Sequence, residues 1–258
     1  MIPMEDGGGY TAPGLQDFQF PGLFGIEWLT KPMLQAVIAA ILVVFVWVWA
    51  SRKLRVVPSK GQFAMEYLYN FIRNGVGRDI LGPGFRPYLG LLVGLFTYIL
   101  LNNWFGEFVL FMFPTMSNIG YAWGAVVMVL LIYIYAGFRK HGIGYLKHAL
   151  IPEGVPWYLY PIIVPVEFLS NFVTRPLTLG VRLFANMFAG HLAIIVFVVG
   201  GTYLLTQADG IVLKAGGVFS LIFSLMFMLF EMFIGFLQAY IFTLLTAQYI
   251  SSSISEAH

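Results

Sequence analysis

The sequence predicts an all-α integral membrane protein: about five membrane helices, one interfacial amphipathic helix, and a long, steeply tilted antiparallel hairpin made by the last two helices. Three observations carry this. Hydrophobic residues make up 59% of the 258 residues and charged residues only 10%, against about 25% charged in a soluble domain. Apolar runs long enough to cross about 30 Å of hydrocarbon recur along the chain. Ten of the fourteen Lys and Arg fall in two loops, seven in 51–87 and three in 139–153, the asymmetry that marks cytoplasmic loops.

Composition also excludes several classes. There is no cysteine, hence no disulfide or thiolate metal site. The net charge of +2 is too small to suggest nucleic acid. No Walker lysine loop, His-Glu-x-x-His or dinucleotide glycine pattern occurs. The expectation is a chain with no cofactor, no metal and no catalytic site of its own.

The elements follow in order. Residues 1–31 are polar, with Gly and Pro throughout and four of five charges acidic; they read as an extracytoplasmic segment. The start, with Glu5 and Asp6 and no nearby base, has neither a signal-peptide nor a transit-peptide character. Residues 32–258 form a single membrane domain. Its first span is 32–50, ending in the interfacial Trp47 and Trp49. Residues 62–74 place Phe63, Tyr67, Leu68 and Phe71 at helical spacing among polar residues, the pattern of an amphipathic helix lying in the interface. Gly75 to Pro87 is expected as a basic loop.

The second span is 88–113. Glu107 in its last third reads as an interfacial carboxylate, with a place at an ion entrance as the alternative. The third span is 120–138. Pro152, Pro156, Pro161 and Pro165 then predict a broken connector. The hairpin is 167–205 and 216–250, joined by a turn at Asp209-Gly210. As helices these are about 58 Å and 52 Å long, too long to stand upright in about 30 Å of hydrocarbon. Five spans and the basic loops place the N-terminus outside and the C-terminus in the cytoplasm.

The hairpin carries the residues that need explaining. Arg182 sits in a stretch otherwise almost free of charge, where an arginine costs roughly 2.5–3.5 kcal/mol at the membrane centre. In an antiparallel pair turning at Asp209-Gly210, facing residues have numbers adding to about 420. That sets Arg182 opposite Gln238, His191 opposite Glu231, and Asn171 opposite Tyr249. Thr178, Arg182 and Asn186 share one face of their helix. His191 lies nine residues from Arg182, about 13 Å further along and half a turn round, so the His191–Glu231 pair is a separate site. His and Glu can exchange protons once buried, whereas Arg keeps its charge. The pair reads either as a proton relay or as a structural link across the hairpin.

The stretch Arg175-Pro-Leu-Thr-Leu-Gly-Val-Arg-Leu-Phe-Ala-Asn-Met-Phe-Ala-Gly-His191 strongly resembles the signature of subunit a of the F-type ATP synthase, bacterial type. Leu237-Gln-Ala-Tyr-Ile-Phe-Thr-Leu-Leu-Thr246 resembles the second signature, and Gln62-Phe-Ala-Met-Glu-Tyr and Asn103-x-x-Gly106 fit in the family's order. The resemblance covers about residues 30 to 250.

It implies a proton-translocating stator subunit in a bacterial plasma membrane, with the c-subunit ring, b-type peripheral stalk subunits, lipid and the transported proton as partners. Arg182 would be the stator charge facing the c-ring carboxylates. Asn186 and Gln238 would lie beside it. His191 and Glu231 would line the entry half-channel, with the two residue types exchanged relative to many bacterial members. Glu167, Asn171, Thr178 and Tyr249 would belong to the cytoplasmic exit, although Glu167 lies one residue out of step with the family's acidic position. The competing reading is a secondary ion transporter or channel, which predicts an internal repeat; the sequence has none.

Overall fold

The computed structural model describes residues 13, 14, 18, 21, 22, 25, 29–52, 54–108, 113–151 and 156–255, apart from the His148 side chain. Most of residues 1–31 therefore lies outside the described residues.

The described residues form helices and turns without strands. Helix α1 (Lys31–Ser51) is followed by α2 (Lys60–Ile72), whose N-terminus is capped by Ser59, its side chain accepting from the Gln62 N–H. A π turn (Arg73–Arg78), the single turn α3 (Asp79–Leu81) and a 3₁₀ turn (Gly82–Phe85) lead directly into α4 (Arg86–Trp104). Then come α5 (Ile119–His141), the short α6 (Gly144–Leu150) and α7 (Tyr160–Leu169). A second π turn (Ser170–Thr174) joins α7 to α8 (Arg175–Thr206), and α9 (Ile211–Ile254) ends the described chain. Five helical runs are long and apolar enough to cross a membrane: 31–51, 60–104, 119–141, 157–206 and 211–254. The protein is a multi-pass membrane protein.

One stretch expected as a loop is helical. Gly75 to Pro87 continues the helical path because its prolines occupy first turns, where no N–H is required. Pro83 is the second residue of the 3₁₀ turn and Pro87 the second residue of α4. Gly82 supplies the one left-handed residue, φ 59°. In the connector before the hairpin, expected to be broken at its prolines, Pro152 lies outside the described residues, Pro161 sits in the first turn of α7 and Pro165 is accommodated within that helix.

The last two helical runs, 50 and 44 residues, extend about 75 Å and 66 Å. Each greatly exceeds the hydrocarbon thickness of about 30 Å, as expected of a tilted or protruding hairpin. Only residues 207–210 separate them, with Gly210 at φ 109°.

The chain divides into two compact units. One comprises Met1–Ala39, Leu100–Asn118 and Phe184–Leu237; the other Ala40–Ile99, Ile119–Leu183 and Gln238–His258. In the first, α8 and α9 approach backbone to backbone at Gly201 and Gly217, where a Cβ on either would lie 2.9–3.0 Å from the other's carbonyl oxygen. Ser220 Oγ donates to Phe197 O at 2.7 Å. These pairs have numbers adding to about 420, the register read from the turn. Asn103 Nδ2 donates to Gly235 O at 3.1 Å and Trp104 Nε1 to Met232 O at 3.0 Å, tying the end of α4 to α9. In the second unit, Trp47 Nε1 donates to Thr97 Oγ1 at 3.3 Å, and Phe71 of α2 packs on Phe96 and Tyr240.

Candidate functional site

Arg182 lies on an exposed face of α8, with Thr178 one turn before it and Asn186 one turn after, both also exposed. The apolar neighbours on that face, Leu177 and Val181, are exposed as well. Thr178 directs its hydroxyl to its own helix, donating to Thr174 O at 2.8 Å and Arg175 O at 3.1 Å. The guanidinium thus stands on an open, otherwise mostly apolar surface of a membrane-crossing helix. Gln238, on α9, is only 2% exposed.

The unit containing residues 184–237 holds a separate polar centre. His191 of α8 and Glu231 of α9 are buried, and Glu107, just beyond α4, joins them. One side-chain atom from each lies within 4.8 Å of the other two. Glu107, which the sequence allows as an interfacial carboxylate or as a residue at an ion entrance, is brought to the pair by the structure. The Asn103 and Trp104 hydrogen bonds to α9 account for this, because they pin the segment just before it against the Glu231 stretch.

Gly190 makes room for the cluster: a Cβ there would fall 2.9 Å from Glu231 Cδ. Aromatic rings close the site beside the imidazole, with Phe18 6.2 Å and Phe113 6.0 Å from His191, both edge-on. Both Glu231 oxygens and Glu107 Oε1 are buried, and the two carboxyl groups are hydrogen-bonding neighbours of each other. Two carboxyl groups and an imidazole at this range form a set that can accept and pass a proton. One nitrogen and two carboxylates are also a suitable donor set for a zinc ion.

The other unit holds a third centre at the π turn. There the Arg175 N–H bonds to Ser170 O. Pro176 follows and has no N–H, so the next carbonyl in this register, that of Asn171, lacks a helical donor. Tyr133 of α5 supplies one, its hydroxyl donating to Asn171 O at 2.7 Å. Asn171 Nδ2 donates to Ala149 O at 2.8 Å and to Glu167 Oε2 at 3.3 Å. These groups border a cavity of about 180 Å³ with Tyr145, Arg175 and Ser253. Tyr249 packs edge-on against Tyr133 at 5.9 Å, and the Arg175 guanidinium lies 5.5 Å from its ring centre. Asn171 and Tyr249, paired from the register, thus meet through Tyr133. Thr178, grouped with them in the sequence, is not among the cavity's lining residues. Tyr133, Tyr145 and Arg175 were missed; a tyrosine in an apolar helix looks like packing.

Fold and site together define a multi-pass helical membrane protein with buried titratable side chains and an arginine exposed on a long apolar helix. The family described as ATP synthase A chain matches residues 33–251. The chain is 42% identical to ATP synthase subunit a of Nocardioides sp., over 100% of this chain and 98% of that protein. It is 40% identical to the subunit a of Pseudarthrobacter chlorophenolicus, over 98% and 96%, and 37% identical to that of Streptomyces lividans, over 98% and 91%. The chain belongs to the ATP synthase subunit a family.

Proposed function

We propose that this chain is the proton-translocating stator subunit of a rotary ATP synthase in a bacterial plasma membrane, itself without a catalytic site. The observation that carries the reading is Arg182, a permanent cation exposed on a membrane-crossing helix. Such a charge requires an anion or water outside its own helix. A carboxylate on each subunit of a rotating c-ring meets that requirement.

Protons enter through the His191, Glu231 and Glu107 centre and neutralise a ring carboxylate. The neutral group turns into lipid at far lower cost than an ionised one. After nearly a full revolution it releases its proton toward the cytoplasm through the Asn171, Glu167 and Tyr249 region. Arg182 attracts the ionised carboxylate and, with Asn186 and Gln238 beside it, keeps the two paths from joining. The membrane potential contributes about 2.3 kcal/mol per charge per 100 mV. The ring's rotation drives ATP synthesis on another subunit, and b-type subunits hold this chain still.

The test is ATP-driven proton pumping in membrane vesicles carrying Arg182→Ala, with passive leak measured alongside. Loss of coupled pumping is expected; normal coupled pumping would overturn the assignment.

A further inference from the structure

A cavity of about 520 Å³ opens where α1 ends and α2 begins, bordered by Trp49, Arg52, Arg55, Ser59, Gln62 and Met65 among others. Its volume is within the roughly 300–1,000 Å³ of small-molecule sites. Local hydrogen bonds hold it open. Gln62 clamps the Arg55 backbone, its Oε1 accepting from the Arg55 N–H at 3.2 Å and its Nε2 donating to Arg55 O at 3.0 Å. The same Nε2 donates to Glu66 Oε1 at 2.7 Å, giving that carboxylate a partner on α2. The Arg52 N–H donates to Trp49 O at 3.3 Å. The main chain at both arginines is thus held, both border the cavity, and no carboxylate is among its lining residues.

The loop that carries the two arginines also bears bare apolar side chains. Leu54, Val56 and Val57 are largely or fully exposed. Trp47 and Trp49 mark the end of a membrane-crossing helix, the level at which tryptophan meets lipid headgroups. Paired cations next to bare aliphatic side chains complement a molecule with an anionic head and apolar tails.

We propose that this cavity binds the headgroup of an anionic phospholipid, with Arg52 and Arg55 donating to its phosphate and the acyl chains running along Leu54, Val56 and Val57. Arginine suits this role because its planar fork matches phosphate oxygens. A free anion would leave the aliphatic side chains uncovered, and a zwitterionic lipid would bring its own cation toward both guanidinium groups. The site is independent of the proton path.

The test uses the whole purified ATP synthase complex, delipidated and then given photoactivatable phosphatidylglycerol or phosphatidylcholine, with labelled peptides mapped by mass spectrometry. Labelling of residues 49–65 by the anionic probe should exceed that by the zwitterionic one about tenfold, and Arg52→Gln/Arg55→Gln should remove most of the excess. Excess inorganic phosphate should not compete. Equal labelling by both lipids, unchanged labelling in the double variant, competition by phosphate, or occupation of the site by an acidic segment of another subunit would each overturn the proposal. If the double variant does not assemble, the wild-type map decides, since anionic labelling confined to other regions overturns it. Arg52→Lys/Arg55→Lys should keep part of the labelling, and a complete loss there would count against a charge-based site.

Discussion

Gly190 and Glu231 face each other so closely that a methyl group on the first would strike the carboxyl carbon of the second, 2.9 Å away. The position of a buried carboxyl on α9 is thus set by a missing side chain on α8. Gly190→Ala should favour the helix by up to about 1 kcal/mol through propensity alone, yet displace the carboxyl from His191 and Glu107. We expect proton-driven ATP synthesis in vesicles to fall about tenfold with complex assembly preserved, a misplacement effect. Full synthesis in the variant would mean that the geometry of this centre does not govern proton uptake.

Glu107 should act with Glu231 rather than independently. Glu107→Gln and Glu231→Gln are each expected to slow proton flow through membrane sectors stripped of the catalytic part. The double variant should lose less than the two effects combined, as for residues in contact. Strict additivity of the logarithms of the rates would show that Glu107 is an interfacial carboxylate after all.

The same three side chains supply a nitrogen and two carboxylates for a divalent ion. Micromolar zinc should slow proton flow reversibly, with recovery on chelation, and His191→Ala should weaken the inhibition about tenfold. Undiminished inhibition in that variant would place zinc elsewhere.

Tyr133→Phe tests the third centre. It removes the donor to Asn171 O, a part-buried carbonyl, a loss of about 1 kcal/mol for a typical hydrogen bond. A lower thermal midpoint for subunit a within the complex is expected, with Tyr133→Trp no better. Unchanged stability would mean that water replaces the hydroxyl without cost.

Much of this was legible in the sequence. Composition and apolar run length fixed the class, because a membrane leaves few ways to satisfy a backbone. The register of the hairpin was readable since a two-residue turn signal determines every facing pair, and it brought His191 to Glu231. The choice between the two readings of Glu107 was not legible because it lies beyond the end of α4, where helical periodicity no longer tells which way a side chain points. Gly75 to Pro87 was misread because glycine and proline are breakers only in helix interiors, and here they fill first turns and close approaches. Gly77, for instance, gives room to Phe85, whose ring would be 3.3 Å from an added Cβ. Tyr133 had no signal to distinguish it from the other aromatic residues of α5.

The π turn at Ser170–Thr174 has a consequence for ancestry. A π turn is an α-helix that has absorbed one surplus residue without opening a loop. Everything before it is turned by about 100° relative to an uninterrupted helix. In the resemblance read from the sequence, Glu167, before the turn, falls one place out of step with an acidic position of the family, and the long signature begins after the turn, at Arg175. Such a step is what an insertion inside a continuous helix leaves behind: the count of residues changes while the helix remains whole. A single-residue deletion within 172–174 would restore the ordinary winding and turn Glu167 and Asn171 together by about 100° relative to Arg175 and the helix beyond it.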